Sequence, residues 1–494
     1  MNAADDQVDT SAHGWSHLLD ETARAVERLG ARGWIVGGCL RDALLGVPVG
    51  DVDLAVTGDP AALANAVRET SPLTIARLRR SVRLSLRTGG GSECQLDIAP
   101  LHGGAITADL ARRDFTVNAL ALPLDARDEL LPLMFGAPIG ETAIDLPHLI
   151  DPFNGLEHLH AHILHLASDS ALRDEPGRIL RAARLIAAAR FTPSASLLDR
   201  AREAVPLLGA LSRDRVRDEL NALLALPRCA VGLRFLAAVG ALPALFPTLA
   251  APDVTAHALA AVAASECLQT GATPDPLIAP LASLALLRDW YAARLPNGNP
   301  RIVALRWGLF FHAAKPHSAN RPATDPASLM ASIASSADAV TLGLRLSGPE
   351  HDILHKVLIW CQSFREAATM GRLDERIIRH LIEQEGEPVI DACIAAACCD
   401  TALAVAPLAR ESPSLEVAPR VRALLDVFFT DRARLIPPRL LDGANLIRAL
   451  GMAPGPEIGR VLAEVRRAQL DGRIATRAEA LAWARALIAA HREG

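Results

Sequence analysis

The stretch GGCLRDALLGVPVGDVDLAV, Gly37 to Val56, decides how this chain reads. It opens on a glycine doublet that ends the short apolar run Trp34-Ile35-Val36 and precedes CLRDALLG, a predicted helix. A strand that stops on two glycines and turns into a helix leaves backbone N–H groups and a helix dipole facing outward, a cradle for an anion. Arg41 falls in the first turn of that helix, within reach of the same anion. The stretch closes on DVDLAV (51–56), a strand by its alternation. Residues two apart in a strand share a face, so Asp51 and Asp53 lie side by side while Val52 and Leu54 point into the core. Two ionised carboxylates that close repel, and the arrangement is natural when divalent cations sit between them. Oxygen donors on one face suit magnesium, and a pair of such ions stabilises attacking and leaving oxygens at a phosphorus centre. Alone, the aspartate pair also reads as a chance surface pair and the glycines as a tight turn. Together in one short stretch they point to phosphate chemistry.

Working outward, residues 15–32 have the spacing of an amphipathic helix ending near Gly30, and AALANAVRE predicts a second helix after the Gly58-Asp59-Pro60 break. VRLSLRTGGGSECQLDIAP predicts strands 82–87 and 93–98 joined at Gly89-Gly90-Gly91. ADLARRDFTVNALAL has helical spacing, and after about residue 155 almost everything does. The outcome is an α+β chain: a small mixed α/β unit at the front and a long all-helical remainder.

Composition bounds the rest. A chain of 494 residues is too long for one core, and roughly 150 residues per domain suggests about three units. Hydrophobic residues make up 50% and charged ones 22%, which excludes a largely disordered chain. Net charge is −5, so any nucleic-acid contact must come from local clusters. The candidates are Arg77, Arg79, Arg80 and Arg83 near the front, and Arg460, Arg466, Arg467 and Arg473 near the end. No apolar window is long enough for a membrane span, and the acidic, polar start is unlike a secretory signal, so a cytoplasmic location is expected. The eight cysteines show no CxxC spacing and read as buried free thiols. His158, His160, His162 and His165 form a run whose zinc reading is disfavoured, because the chemistry already has oxygen ligands.

The 37–56 stretch resembles motif A of the class II nucleotidyltransferases, the tRNA CCA-adding enzymes and bacterial poly(A) polymerases. ARRDFTVNALAL (111–122) resembles the family's second motif, DPFNGLEHL (151–159) its third and DEPGRILRAARLIAAARF (174–191) its fourth. The segments 212–224 and 232–247 look like neck and body helices, and 440–474 like the tail of bacterial CCA-adding enzymes. The resemblance implies a polymerase-β-like catalytic head with a mixed sheet (31–150) behind a helical leader (1–30). A neck with a base-recognition helix (151–225), a helical body (226–430) and a tRNA-binding helical tail (431–494) would follow.

It also implies an activity: template-independent addition of CCA to tRNA 3′ ends from CTP and ATP, with release of pyrophosphate. Asp51 and Asp53 would hold two magnesium ions, and Asp97 is a further strand carboxylate placed to complete the site. Gly37, Gly38, Arg41 and Arg113 would contact the triphosphate, Asp114 a ribose hydroxyl, with Asn118 on the same face by its i,i+4 spacing. Glu175 and Arg178 would read the base edges, with Arg181 and Arg184 near phosphate. The family's usual order in that motif is glutamate then aspartate; here it is Asp174-Glu175, one methylene longer at the second position. Phosphohydrolase activity is not expected, although the body carries one His-Asp pair, His351-Asp352. The partners implied are tRNA and nucleoside triphosphates, with no membrane and no obligate protein partner. The alternatives are a poly(A) polymerase, an enzyme restricted to CC or A addition, and a catalytically inactive RNA-binding relative.

Overall fold

The computed structural model describes residues 3–78, 81–89, 91–135, 146–313, 343–406 and 412–492. Arg79, Arg80 and Gly90, singled out above, lie outside the described residues. The chain divides into two compact units: residues 1–211 with 238–245, and residues 212–237 with 246–494.

The first unit is built on a six-stranded mixed sheet of order β3-β4-β5-β2-β1-β6. Its strands are β1 (Gly33–Val36), β2 (Asp51–Val56), β3 (Thr74–Arg77), β4 (Val82–Arg87), β5 (Glu93–Pro100) and β6 (Ala121–Pro123). The expected hairpin is there, β4 antiparallel to β5, but β5 continues across to pair parallel with β2. β1 runs antiparallel between β2 and β6. One face is apolar: Val52, Leu54, Leu84, Leu86, Leu96 and Ile98 are all buried. Helix α1 (Ala3–Arg28) covers it with Trp15, Leu18, Leu19, Ala25 and Val26, a stripe at helical spacing, together with α3 (Pro60–Arg68). The opposite face carries the polar residues of the same strands. Between them, α2 (Gly38–Leu44) follows β1 directly.

Four sequence expectations need correction. The leader helix starts at Ala3, well before residue 15, and ends at Arg28, with Gly30 left-handed at φ +62° as its expected stop. β3 was not anticipated; it is four residues long and mostly exposed, so it carries little pattern. The stretch 108–122 is not one helix. It divides into α4 (Ile106–Leu110), a 3₁₀ turn (Thr116–Asn118) and β6, because residues 121–123 pair with β1 and cannot continue a helix. Finally, the fourth motif is broken: α6 (Ala171–Asp174) ends before Glu175, and α7 (Arg178–Ala189) begins after Gly177. Here α5 is the short helix Gly155–His160, which opens the segment leading to them.

The second unit is built of helices, with a single isolated bridge, Arg294 to Pro300, among its described residues. The helix Arg301–His312 has every residue from Ile302 to His312 buried, against Pro252–Ala264, Gly348–Thr369 and Val389–Val405. It approaches Gly348–Thr369 so closely that a Cβ at Gly308 would stand 2.8 Å from Val357, so glycine is needed there. Phe246, Trp307, Phe310 and Phe311 interlock at centroid distances of 5.3–6.2 Å. The buried Arg306 is held by the carbonyls of Leu224 and Leu226 and by Ser265 Oγ. The C-terminal helices Gly443–Leu450, Pro456–Leu470 and Arg477–Arg492 share their own small core of Leu446, Val461, Val465, Ala480 and Ala484. No helix among the described residues is long and apolar enough to cross a membrane.

Candidate active site

Strand register assembles the site. Asp53 stands opposite Asp97 in the parallel β2–β5 pair, and Asp97 opposite Arg83 in the β4–β5 pair. Alternation sends all of them, with Asp51, to the polar face. Asp97 is gripped in bidentate fashion by Arg83, at 2.7 Å for both contacts. Arg83 therefore serves the sheet face, and Asp97 has a fixed cationic partner there.

Asp53 has the opposite environment. Although Asp53 lies on the exposed face of β2, the protein packed around its carboxyl partly desolvates it and pushes it above the ordinary range; Arg113 opposes the shift, and Asp51 and Asp97 add to it as like charges. The antiparallel partner of Asp53 is Val36, which brings the glycine doublet alongside. Gly37 sits at φ +88°, and a Cβ there would lie 2.6 Å from Arg113 Nη1 and 3.5 Å from Asp53 Oδ2. Any side chain would thus be strained and would displace the guanidinium. A Cβ at Gly38 would meet the Arg41 guanidinium at 3.3 Å. Two arginines therefore flank the doublet. Helix α2 is only seven residues long, so they supply most of the positive potential.

Each arginine is held from behind. Arg41 donates to Asp42 Oδ1 through Nε (2.8 Å) and Nη2 (2.7 Å), and to Asn118 Oδ1 through Nη1 (2.6 Å). Asn118 in turn donates to Asp114 Oδ1 at 2.9 Å, which also accepts from the Phe115 N–H at 2.8 Å. Asp114 Oδ2 accepts from Arg181 Nη1 at 3.1 Å. The expected meeting of Asp114 and Asn118 occurs, although through a 3₁₀ turn. Asp114 is buried and bonded to protein groups at both oxygens. Arg113 leans on buried Asp109 at 3.4 Å, while its Nε is buried with no hydrogen-bond partner. Orphaned guanidinium nitrogens also occur at Arg306, Arg420 and Arg466, so it is the crowded carboxylate beside Arg113 that points to a site completed by a ligand.

In the fourth motif, Arg178 donates to the Arg112 carbonyl (2.7 Å), the Ala171 carbonyl (3.2 Å), the Arg113 carbonyl (3.4 Å) and Glu175 Oε2 (3.2 Å). Four of the five N–H donors of a guanidinium are thereby engaged, and α7 is stitched to the loop that carries Arg113. Arg181 is half exposed. Arg184 is partly buried on the same helix, and Glu175 lies in the break before it.

The third motif is a buttress. Asp151 caps α5 through the N–H groups of Gly155 (2.7 Å) and Leu156 (2.9 Å), and a Cβ at Gly155 would stand 2.3 Å from the Thr116 carbonyl. The four-histidine run does not converge. His158 and His165 stack at 4.9 Å, with ring nitrogens on Thr116 and Ser194, whereas His162 meets the Ala189 carbonyl.

Asp42 and Asp109 had no role in the sequence reading. Asp109 was detectable in retrospect from its i,i+4 spacing to Arg113. Of the expected RNA-binding arginines, Arg77, Arg460, Arg467 and Arg473 are exposed. Arg466 is turned inward, bonded to Glu383 (2.6 Å) and the Pro437 carbonyl (2.8 Å), and so ties the C-terminal helices to the helix Glu375–Glu385.

A face with clustered acids, a glycine turn and flanking guanidiniums has the equipment to hold a polyphosphate together with divalent cations, the requirement of a nucleotidyl-transferring head. Comparison with known proteins agrees. Residues 33–165 match the poly A polymerase head domain, and residues 190–252 the "Probable RNA and SrmB- binding site of polymerase A". A CC-adding tRNA nucleotidyltransferase of Geobacter sulfurreducens is 35% identical over 216 residues, 43% of this chain and 45% of the relative. An A-adding tRNA nucleotidyltransferase of Deinococcus radiodurans is 28% identical over 91% of this chain and 94% of its own length. The match thus spans less than half of the first relative and nearly all of the second. The Thermotoga maritima CCA-adding enzyme complexed with tRNA shares the fold, with a TM-score of 0.61 at 21% identity, covering 95% of both chains. Residues 33–165 thus carry a poly A polymerase head domain, in a chain similar along nearly its whole length to an A-adding tRNA nucleotidyltransferase.

Proposed function

We propose that this protein adds nucleotides to the 3′ end of tRNA, completing CCA from CTP and ATP with release of pyrophosphate. The observation that carries the reading is the polar sheet face, where Asp51 and Asp53 stand beside the Gly37-Gly38 turn and the paired Arg41 and Arg113. The donor set fits magnesium: carboxylate oxygens only, with Asp53 raised by burial and by like-charged neighbours that a cation would relieve. Two such ions, held by Asp51 and Asp53, would supply charge neutralisation at the α-phosphorus and a more acidic 3′-hydroxyl.

The chain's own residues do the positioning. Arg113, with an unpartnered Nε, and Arg41 clamp the triphosphate against the doublet, where the absence of side chains lets phosphate oxygens approach the backbone. Asp109 and Asp42 keep the two guanidiniums from folding onto Asp51 and Asp53. Asp97, neutralised by Arg83, contributes to the face without competing for the same cation. Beyond Asp114, the half-exposed Arg181, with Glu175 and Arg184, would meet the base or sugar. Arg178 holds the helix that presents them. The tRNA itself would be held by shape and backbone contacts, with Arg460, Arg467 and Arg473 as phosphate contacts.

A narrower reading, addition of CC alone or of A alone, is favoured by one observation: the two relatives described above bear those two names. A single assay separates the cases. tRNA lacking CCA, tRNA ending in CC and an unstructured RNA are each incubated with labelled CTP or ATP and magnesium. The proposal expects C on the first tRNA and A on the second. One of these alone indicates a partial enzyme, and adenylate tails on the unstructured RNA a poly(A) polymerase. No incorporation at all overturns the reading.

A further inference from the structure

The second unit contains a cluster that the transfer chemistry does not use. His312 ends the helix Arg301–His312, Cys361 lies within Gly348–Thr369 and Cys399 within Val389–Val405. All three are buried, and their ligand atoms lie within 4.8 Å of one another. We propose that they form a binding site for a thiophilic d10 cation, zinc(II) or copper(I), which staples the three helices together.

Three observations carry this. The first is distance: Cys399 Sγ stands 3.6 Å from His312 Nδ1. With metal bonds of about 2.3 Å to sulfur and about 2.0 to 2.1 Å to nitrogen, tetrahedral geometry separates those two donors by about 3.6 Å. Cys361 closes onto the same point by a side-chain adjustment of at most about 1 Å, since two sulfurs on one metal stand about 3.8 Å apart.

The second is the state of the imidazole. His312 is 4% exposed, yet among the described residues its Nε2 has no hydrogen-bond partner and its Nδ1 faces a sulfur, a weak acceptor. A buried ring with one nitrogen unsatisfied costs about 1 to 3 kcal/mol, and ordinary hydrogen bonding does not account for its position. A cation on Nδ1 fixes the proton on Nε2, which stays unpartnered, and its binding free energy, several times larger, outweighs that cost. Elsewhere in the fold, His257 and His165 bond a backbone carbonyl and a serine hydroxyl in the usual way.

The third is chemistry and charge. Two thiolates and one imidazole are a soft set that selects zinc or copper(I) over magnesium. Two thiolates balance the charge of zinc, so the filled site adds no net charge to the core. Four-coordinate zinc needs a fourth donor, whereas copper(I) accepts three, and this difference separates the two occupants.

The experiment uses the full chain, reduced, unfolded and refolded with zinc(II), copper(I) or cobalt(II), then desalted. The expected result is about one metal per chain by elemental analysis, with cobalt giving intense thiolate charge-transfer absorption. Cys361→Ser and Cys399→Ser lower the retained metal at least tenfold, while Cys94→Ser, in the first unit, retains it. Tighter retention of zinc assigns the site to zinc, and of copper(I) to copper. Fewer than one metal per ten wild-type chains under every condition, with no cobalt charge-transfer band, overturns the proposal. Because that outcome is read on the wild-type chain, it holds even where a variant fails to fold.

Discussion

The polar face of the head sheet and the core of the helical unit treat charge in opposite ways. In the helical unit a buried acid is matched: Asp391, fully buried, receives both arms of Arg301, which also lies over Trp290 at 4.1 Å. Buried Arg306 is bonded to two carbonyls and to Ser265 and has no like-charged neighbour pressed against it, although its Nη2 also lacks a partner among the described residues. On the sheet face Asp53 stands among two other acids, and the adjacent Arg113 keeps a buried Nε without a partner. Charge that is satisfied internally holds a fold together. Charge left in tension marks where something else is meant to bind.

The contrast can be broken by experiment, starting with the largest effect. Asp53→Ala should lower nucleotide incorporation roughly 10³- to 10⁴-fold, about 4 to 5.5 kcal/mol, while leaving thermal unfolding and tRNA affinity little changed. A comparable loss of tRNA binding would make Asp53 structural. Arg301→Ala is the mirror image: it strands Asp391 in the core and should cost about 3 kcal/mol or more in denaturant unfolding, with turnover per folded molecule retained. Arg113→Ala comes next, raising KM for the triphosphate about 10- to 100-fold, since one charge-assisted contact contributes about 1.5 to 3 kcal/mol. An unchanged KM would remove Arg113 from the phosphate clamp.

The smallest effect has a definite sign. Because the Asp53 carboxyl is raised in the folded protein, its ionisation opposes folding. That penalty is fully present above the folded pKa and fades as pH falls through it toward the ordinary carboxylate range. Asp53→Asn should therefore raise the melting temperature slightly at neutral pH, by about 1 to 2 °C after allowing for solvent screening. Added magnesium should stabilise the wild-type protein more at neutral than at mildly acidic pH, and should lose that effect in the variant. A destabilised Asp53→Asn protein would contradict the crowding described here.

Much of the head was legible because it depends on short-range rules. Alternation placed Asp51 and Asp53 together, the glycine doublet announced the turn, and the hairpin followed from Gly89 to Gly91. Long-range pairing was not legible. Nothing local in β5 shows that it runs parallel to β2, so Asp97 was expected as a further site carboxylate and Arg83 as an RNA contact, without the ion pair that joins them. The stretch 108–122 misled because its helical spacing loses to strand pairing with β1. Arg466 looked like a surface charge because a sequence does not reveal that Glu383 waits for it across the helix packing.

The line Asp42–Arg41–Asn118–Asp114–Arg181 joins five side chains without a break. Such a line behaves as a measuring rod of constant length between the glycine turn and the helix that bears Arg181. In the proposed reading, a nucleotide seated against Arg41 would meet Arg181 at a spacing this line fixes, so its shape would be checked at two points rather than one.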